Sequence, residues 1–172
     1  METWDAIRAR RNVRQYTDQP IARADLERVL EAGRRTPSAS NWQPWDFVVV
    51  TDREQLAELA LAWPRGGRHI ARSAATIALV AAEPQDQRQR ELLQYDLGQA
   101  TAYMMLAAAD LGIGSGHSAV ADQAQAERVL GFPDGYQCVY MIGLGYPADR
   151  PLRPLARPAR RPFDEVVHWD CW

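Results

Sequence analysis

The chain has 172 residues, 47% hydrophobic and 24% charged, enough apolar content for one folded domain with its own core rather than a disordered segment. Its net charge of −2 argues against a general binder of nucleic acid or of anionic membrane. All 20 basic residues are arginine, which excludes Schiff-base or lysine general-base chemistry and makes every cationic site a guanidinium.

In chain order, residues 3–11 read as a helix with Thr3 as a possible N-cap. A second helix over 23–31 places Leu26, Val29 and Leu30 on one face, with Gly33 set to stop it. A polar, proline-punctuated loop over 36–44 leads into WDFVVV at 45–50, a buried strand. Asp52 can cap a helix through about Ala62, and Gly66-Gly67 breaks the chain again. ATIALVAA at 75–82 reads as a second buried strand. A long helix follows Pro84 and ends at Asp110-Leu111-Gly112, and its second half is nearly all apolar or small. Such a helix is expected to be buried all round, shared between the core and a subunit interface. Asp122 can cap a further helix to Leu130, closed by Gly131 and Pro133, and 136–144 is a third strand. From Pro147 the recurring prolines forbid helix and favour an extended run. Its apolar residues (Phe163, Val166, Val167, Trp169 and Trp172) imply docking, most simply on a second copy. The division is therefore a core over 1–146 and an arm over 147–172.

Only two cysteines occur, Cys138 and Cys171, with no CxxC and no Cys/His pair at ligand spacing, so neither zinc nor a disulfide framework is expected. The first residues do not read as a signal peptide and no apolar run approaches membrane-spanning length, so a cytoplasmic protein without membrane contact is expected.

Four constellations could carry chemistry. Arg10-Arg11-Asn12-Val13-Arg14 gathers three guanidiniums and an amide, an anion site if it is more than a solvated helix end. Pro37 to Trp45 offers hydroxyls and amides to a heteroaromatic edge, or is an ordinary capping turn. LGIGSGHS at 111–118 has glycines that allow close approach to a flat ligand, and its spacing is not that of a dinucleotide fingerprint. The cluster Arg150, Arg153, Arg157, Arg160 and Arg161 is a second source of phosphate-binding cations or a solubilising arm. His117 can donate to a ligand or cap a loop, His69 and His168 have no identifiable partner, and Cys138 reads as core.

RRNVRQY at 10–16, PSASNWQPWDFVVV at 37–50, DLGQATAYMMLAAADLGIGS at 96–115, VLGFPDGYQCVYMIGLGYP at 129–147 and RRPFDEVVHWD at 160–170, in that order, resemble the nitroreductase family over nearly the whole chain. The resemblance implies an α+β fold, a mainly antiparallel sheet flanked by helices, in a homodimer whose C-terminal arms are exchanged. It implies flavin mononucleotide (FMN) at the dimer interface. Arg10, Arg11, Asn12 and Arg14 would hold its phosphate and ribityl chain, with Arg160 and Arg161 adding to the phosphate site. Pro37, Ser38, Ala39, Asn41 and Gln43 would line the flavin of the same or the neighbouring subunit, and Ser115, His117 and Ser118 would bring backbone N–H groups to the ring. Asn12 stands where the family often has serine, and the chain is shorter than many members between Ala62 and Ala75. The function implied is ping-pong reduction of a small acceptor, nitroaromatic or quinone, with hydride from NAD(P)H, the cofactor carrying the chemistry without a side-chain acid or base. The rivals are a flavin-binding protein without activity, flavin chemistry of another kind (dehydrogenation, dehalogenation, flavin breakdown), a deazaflavin donor, and use of the arginine tail on nucleic acid.

Overall fold

The computed structural model describes residues 1–172. Its elements are α1 (Thr3–Ala9), α2 (Arg23–Arg34), β1 (Asp46–Val50), α3 (Arg53–Ala60), α4 (Arg68–Ala71), β2 (Ala75–Ala82), α5 (Gln87–Asp110), β3 (Gly114–Ala119), α6 (Gln123–Leu130) and β4 (Tyr136–Gly145). The four strands form one sheet in the order β1-β2-β4-β3, with every pairing antiparallel. The expected α+β class with an antiparallel sheet flanked by helices is borne out.

Strand β2 shows why both faces are covered. Ile77, Leu79 and Ala81 face a cluster built with α2 and α5, through Leu26, Val29, Leu93, Leu97, Met104 and Ala108. Ala78 and Val80 face the other cluster, with Leu56, Leu59, Ile70 and Ala126 from α3, α4 and α6. A register shift opposite Leu79/Val80 lets Cys138 and Met141 of β4, three residues apart, enter the same cluster. The two central strands are thus apolar runs, whereas β1 and β3 are edges.

Several expectations are corrected. Glu2, not Thr3, stands at the N-cap of α1, without a side-chain bond, and the helix stops at Ala9 because Arg10 turns extended. Residues 12 and 13 pair instead with Ser115, so a tertiary ladder takes over the chain that local propensity would have kept helical. Gly33 does not end α2, which runs on to Arg34. An added Cβ at Gly33 would meet the Met104 side chain at 2.8 Å, so this glycine lets α2 lie close on α5. The helical caps at Asp52 and Asp122 are as expected, accepting from Gln55 N and Gln125 N at 2.8 and 2.9 Å. Helix α5 is buried against its own chain on one side, and Tyr95, Gly98, Ala102 and Tyr103 on the other are exposed, which leaves open the face expected to be shared with a second subunit. The stretch 114–119 is a strand rather than a loop. No helix is long and apolar enough to cross a membrane.

Candidate active-site cleft

The segment after α1 is laid directly against β3. Val13 N donates to Ser115 O at 2.8 Å, and Tyr16 Oη donates to Val13 O and Gly143 O at 2.8 and 3.0 Å. Burial of Tyr16 pushes its pKa up, against the lowering charge of Arg14, so the phenol stays a donor. This close approach is what the glycines of β3 and β4 permit. A Cβ at Gly114 would run into the Val13 side chain, one at Gly116 into Val13 O and the His69 ring, and one at Gly145 into the Tyr16 ring. Of the glycines expected to face a flat ligand, Gly114 and Gly116 are packed by the chain itself, and only Gly112 is open. With Val13 buried, its neighbours Asn12 and Arg14 are turned outward and exposed.

The guanidiniums of that segment then divide. Arg11 is committed: its Nη2 reaches Asp149 Oδ1 and Arg150 O, both at 2.7 Å, and its Nε is buried without a partner. The hydrogen bond from Arg11 and the backbone N–H of Arg150 hold the Asp149 carboxyl below its ordinary range. Arg11 therefore ties the first motif to the start of the arm, and a ligand phosphate would have to share its guanidinium with Asp149. Arg10 makes only a 3.4 Å bond to Asn12 Oδ1, and Arg14 makes none.

Arg14 lies on the wall of a cleft of about 740 Å³, within the usual range of small-molecule sites. The wall gathers Arg65, Arg68 and Arg72 from the stretch between α3 and β2, with Trp63, His69, His117, Ser118 and Tyr140, and no carboxylate. None of the four arginines takes part in an ion pair. His69 sits at the base: Nδ1 lies 2.9 Å from Gly66 O and Nε2 lies 3.0 Å from Gly116 O. Burial pushes its pKa down; the two carbonyls pull it up, and the charges of Arg14 and His117 push it down further. The lowering wins, which favours the uncharged ring, and a neutral imidazole donates to one of its two carbonyls at a time.

The remaining expected residues lie elsewhere. Ser115 is buried, with its carbonyl bonded to Val13, and is not on the cleft wall. The loop of Pro37, Ser38, Ala39, Asn41 and Gln43 is also off that wall. It is tied internally by Gln43 N donating to Ser38 Oγ at 2.8 Å, and Ala39 N donates to Asp96 Oδ2 of α5 at 3.1 Å. Ser40, Asn41 and Gln43 hold φ of 50°, 57° and 52°, left-handed values that cost non-glycine residues on the order of 1 kcal/mol each. Arg160 and Arg161 bond only within the arm, to Ala159 O and to Glu165.

Sequence reading missed Arg65, Arg68, Arg72, His69 and Asp96. The first three carry a legible signal, arginines spaced by three and four on either side of a double glycine. His69 carries none, because its partner Gly116 is 47 residues away. No group of three or more His, Cys, Asp or Glu side chains could hold a metal.

A model of the Nitroreductase family matches residues 7–65 and 62–146. A protein of Archaeoglobus fulgidus, provisionally named an NADH dehydrogenase/NAD(P)H nitroreductase, is 34% identical over 83% of this chain and 84% of its own. An NADH dehydrogenase of Thermus thermophilus is 27% identical over 93% of this chain and 92% of its own. Among solved structures, an FMN-dependent nitroreductase of Clostridium difficile superposes with a TM-score of 0.83 at 22% identity, covering 97% of this chain and 98% of that one.

Proposed function

This chain belongs to the nitroreductase family, and we propose that it is an FMN-dependent oxidoreductase that takes hydride from NAD(P)H and reduces a small acceptor of nitroaromatic or quinone type. Names of relatives support oxidoreduction with a nicotinamide, and one structural neighbour is named FMN-dependent. The observation that carries the reading is the cleft itself: unpaired guanidiniums, an uncharged imidazole and an indole around 740 Å³, with no carboxylate to oppose an anionic cofactor.

The residues fit such a group. Half-buried Arg10 and exposed Asn12 and Arg14 lie on one extended stretch and would present two cations free of carboxylates and an amide to a phosphate and its polyol chain. Strand β3 is an edge, so backbone N–H groups on its free side, near His117 and Ser118, can donate to a ring. FMN, when bound, supplies the two-electron chemistry, accepting hydride from the nicotinamide and returning it to the acceptor. The protein's part is to bind, orient and keep water out, which asks for no acid or base among the side chains.

The loop 37–43, away from this cleft in its own chain, would serve the cleft of a second copy. The arm over 147–172 would cross to that copy, carrying Arg160 and Arg161 to its phosphate site. Purification followed by a visible spectrum, a solution mass and anaerobic mixing with NADH or NADPH tests the reading. A yellow dimer bleached by a nicotinamide is expected. A yellow protein that neither nicotinamide bleaches would be a flavin binder without this activity, and a colourless monomer indifferent to FMN would end the proposal.

A further inference from the structure

The cleft holds more positive charge than FMN would use. A phosphomonoester carries about −1.5 to −2 at neutral pH, which Arg14 on the cleft wall and Arg10, off that wall on the same extended stretch, already match. Arg65, Arg68 and Arg72 are left over, on the same wall. The chain has 22 acidic residues, yet none lines this cleft and none pairs with these three arginines. Their place is fixed by the fold: Gly66 and Gly67 turn so tightly that a Cβ on either would strike Trp63 or the end of α3, and His69 stitches the turn to β3. Like charges held together stay tolerable while water screens them and become costly as a ligand displaces that water. An anion relieves the cost. A planar carboxylate suits the fork of a guanidinium, and the half-buried indole of Trp63 offers an aromatic ring a flat neighbour.

We infer that Arg65, Arg68 and Arg72 select an anionic acceptor, a small aromatic ring with the reducible group at one end and a carboxylate at the other. The inference rests on the flavin reading of the same cleft and names its substrate class. For a nitro compound the overall reaction balances as one nitro group, one NAD(P)H and one proton giving one nitroso group, one NAD(P)⁺ and one water. Two electrons move, one N–O bond breaks, and the oxygen leaves as water.

The test compares 4-nitrobenzoate with its neutral isostere 4-nitrobenzamide. Equilibrium dialysis against the protein as purified reads binding without turnover. Stopped-flow reoxidation of dithionite-reduced holoenzyme reads the half-saturating concentration with no nicotinamide present. The carboxylate is expected to bind and half-saturate at about tenfold lower concentration or better, and the ratio should fall towards one in Arg65→Gln with Arg68→Gln. Equal affinities in the parent protein overturn the inference. So does a double variant that keeps the acceptor ratio and loses only discrimination between NADPH and NADH, since the arginines would then serve the donor. A colourless protein that retains no FMN sinks the flavin reading separately, and dialysis then still decides for or against the anion.

Discussion

Cys138 and Cys171 stand in opposite surroundings, and their chemistry should follow. Cys138 is fully buried in β4, and burial pushes its thiol up to about 12, whereas Cys171 is exposed in the arm. A thiol-exchange reagent should therefore titrate one cysteine in the native protein and the second only in denaturant; two fast thiols in the folded chain would contradict the packing. The sign of the linkage is fixed: the unfolded thiol ionises near 9 and the folded one near 12. Stability from this group is complete below pH 9 and is lost between about 9 and 12. Arg14 carries a different burden. It is exposed, unpaired and on the cleft wall, so Arg14→Ala should leave the melting temperature nearly unchanged and weaken FMN by about 1.5–3 kcal/mol. Flavin retained as tightly by the variant would remove Arg14 from the phosphate site. Gly116 behaves in the opposite way. A methyl group there meets Val13 O and the His69 ring, so Gly116→Ala should destabilise by about 1–3 kcal/mol in a urea titration. A neutral result would mean that residues 12–16 do not lie on β3 in solution.

Among the elements, α5 fixes the loop 38–43 through a single side chain. Asp96 is 1% exposed; its Oδ2 accepts from Ala39 N, while its Oδ1 is buried without a partner. Asp96→Ala should cost only about 1–3 kcal/mol, because it removes an unsatisfied acceptor along with a bond, yet it should free the loop 38–43. Hydrogen exchange at Ala39 reads this directly, and unchanged protection in the variant would show that the loop holds itself. The same element marks the limit of what residues declare. Strand β2 was legible to the residue, since ATIALVAA is a run that only a doubly covered strand needs. Strand β3 was not: GSGHSA has no apolar run and becomes a strand because β4 pairs with it and its glycines admit Val13 and His69. Helix α4 is four residues long, too short for a period to show. At the site, Arg14 and Ser118 were legible as polar residues beside motifs. Arg65, Arg68 and Arg72 join them only because the sheet brings β3 beside the stretch before β2, a contact that no local pattern contains.

On the scale of the whole molecule, the arm poses a problem that one chain does not solve. Residues up to Arg150 are held by Thr17 N to Tyr146 O, Ala148 N to Gln15 O and the Arg11–Asp149 pair, and further on Leu155 N donates to Arg8 O. Beyond them Phe163, Trp169 and Trp172 are 64%, 78% and 100% exposed, a quantity of aromatic surface that a solitary chain would leave in water. Helix α5 shows a matching lack, with Tyr95 and Tyr103 at 69% and 45%. Reach permits one to cover the other: the last 22 residues can extend to roughly 70 Å at most, against a diameter of about 40 Å for a domain of 150 residues. On the proposed reading a second copy would supply both the surface for the arm and the cover for the helix, as a self-complementary interface does. A chain ending at Arg150 keeps the sheet, both core clusters and the Arg11 anchor. It should therefore fold with native far-UV dichroism but sediment as a monomer and hold FMN more weakly than the full chain. A truncated protein that remains a yellow dimer would move the interface off the arm and leave Arg160 and Arg161 as solubilising charge. If instead it becomes a monomer with flavin affinity intact, each cleft is complete within one chain, and the loop 37–43 has no cofactor to serve across the interface.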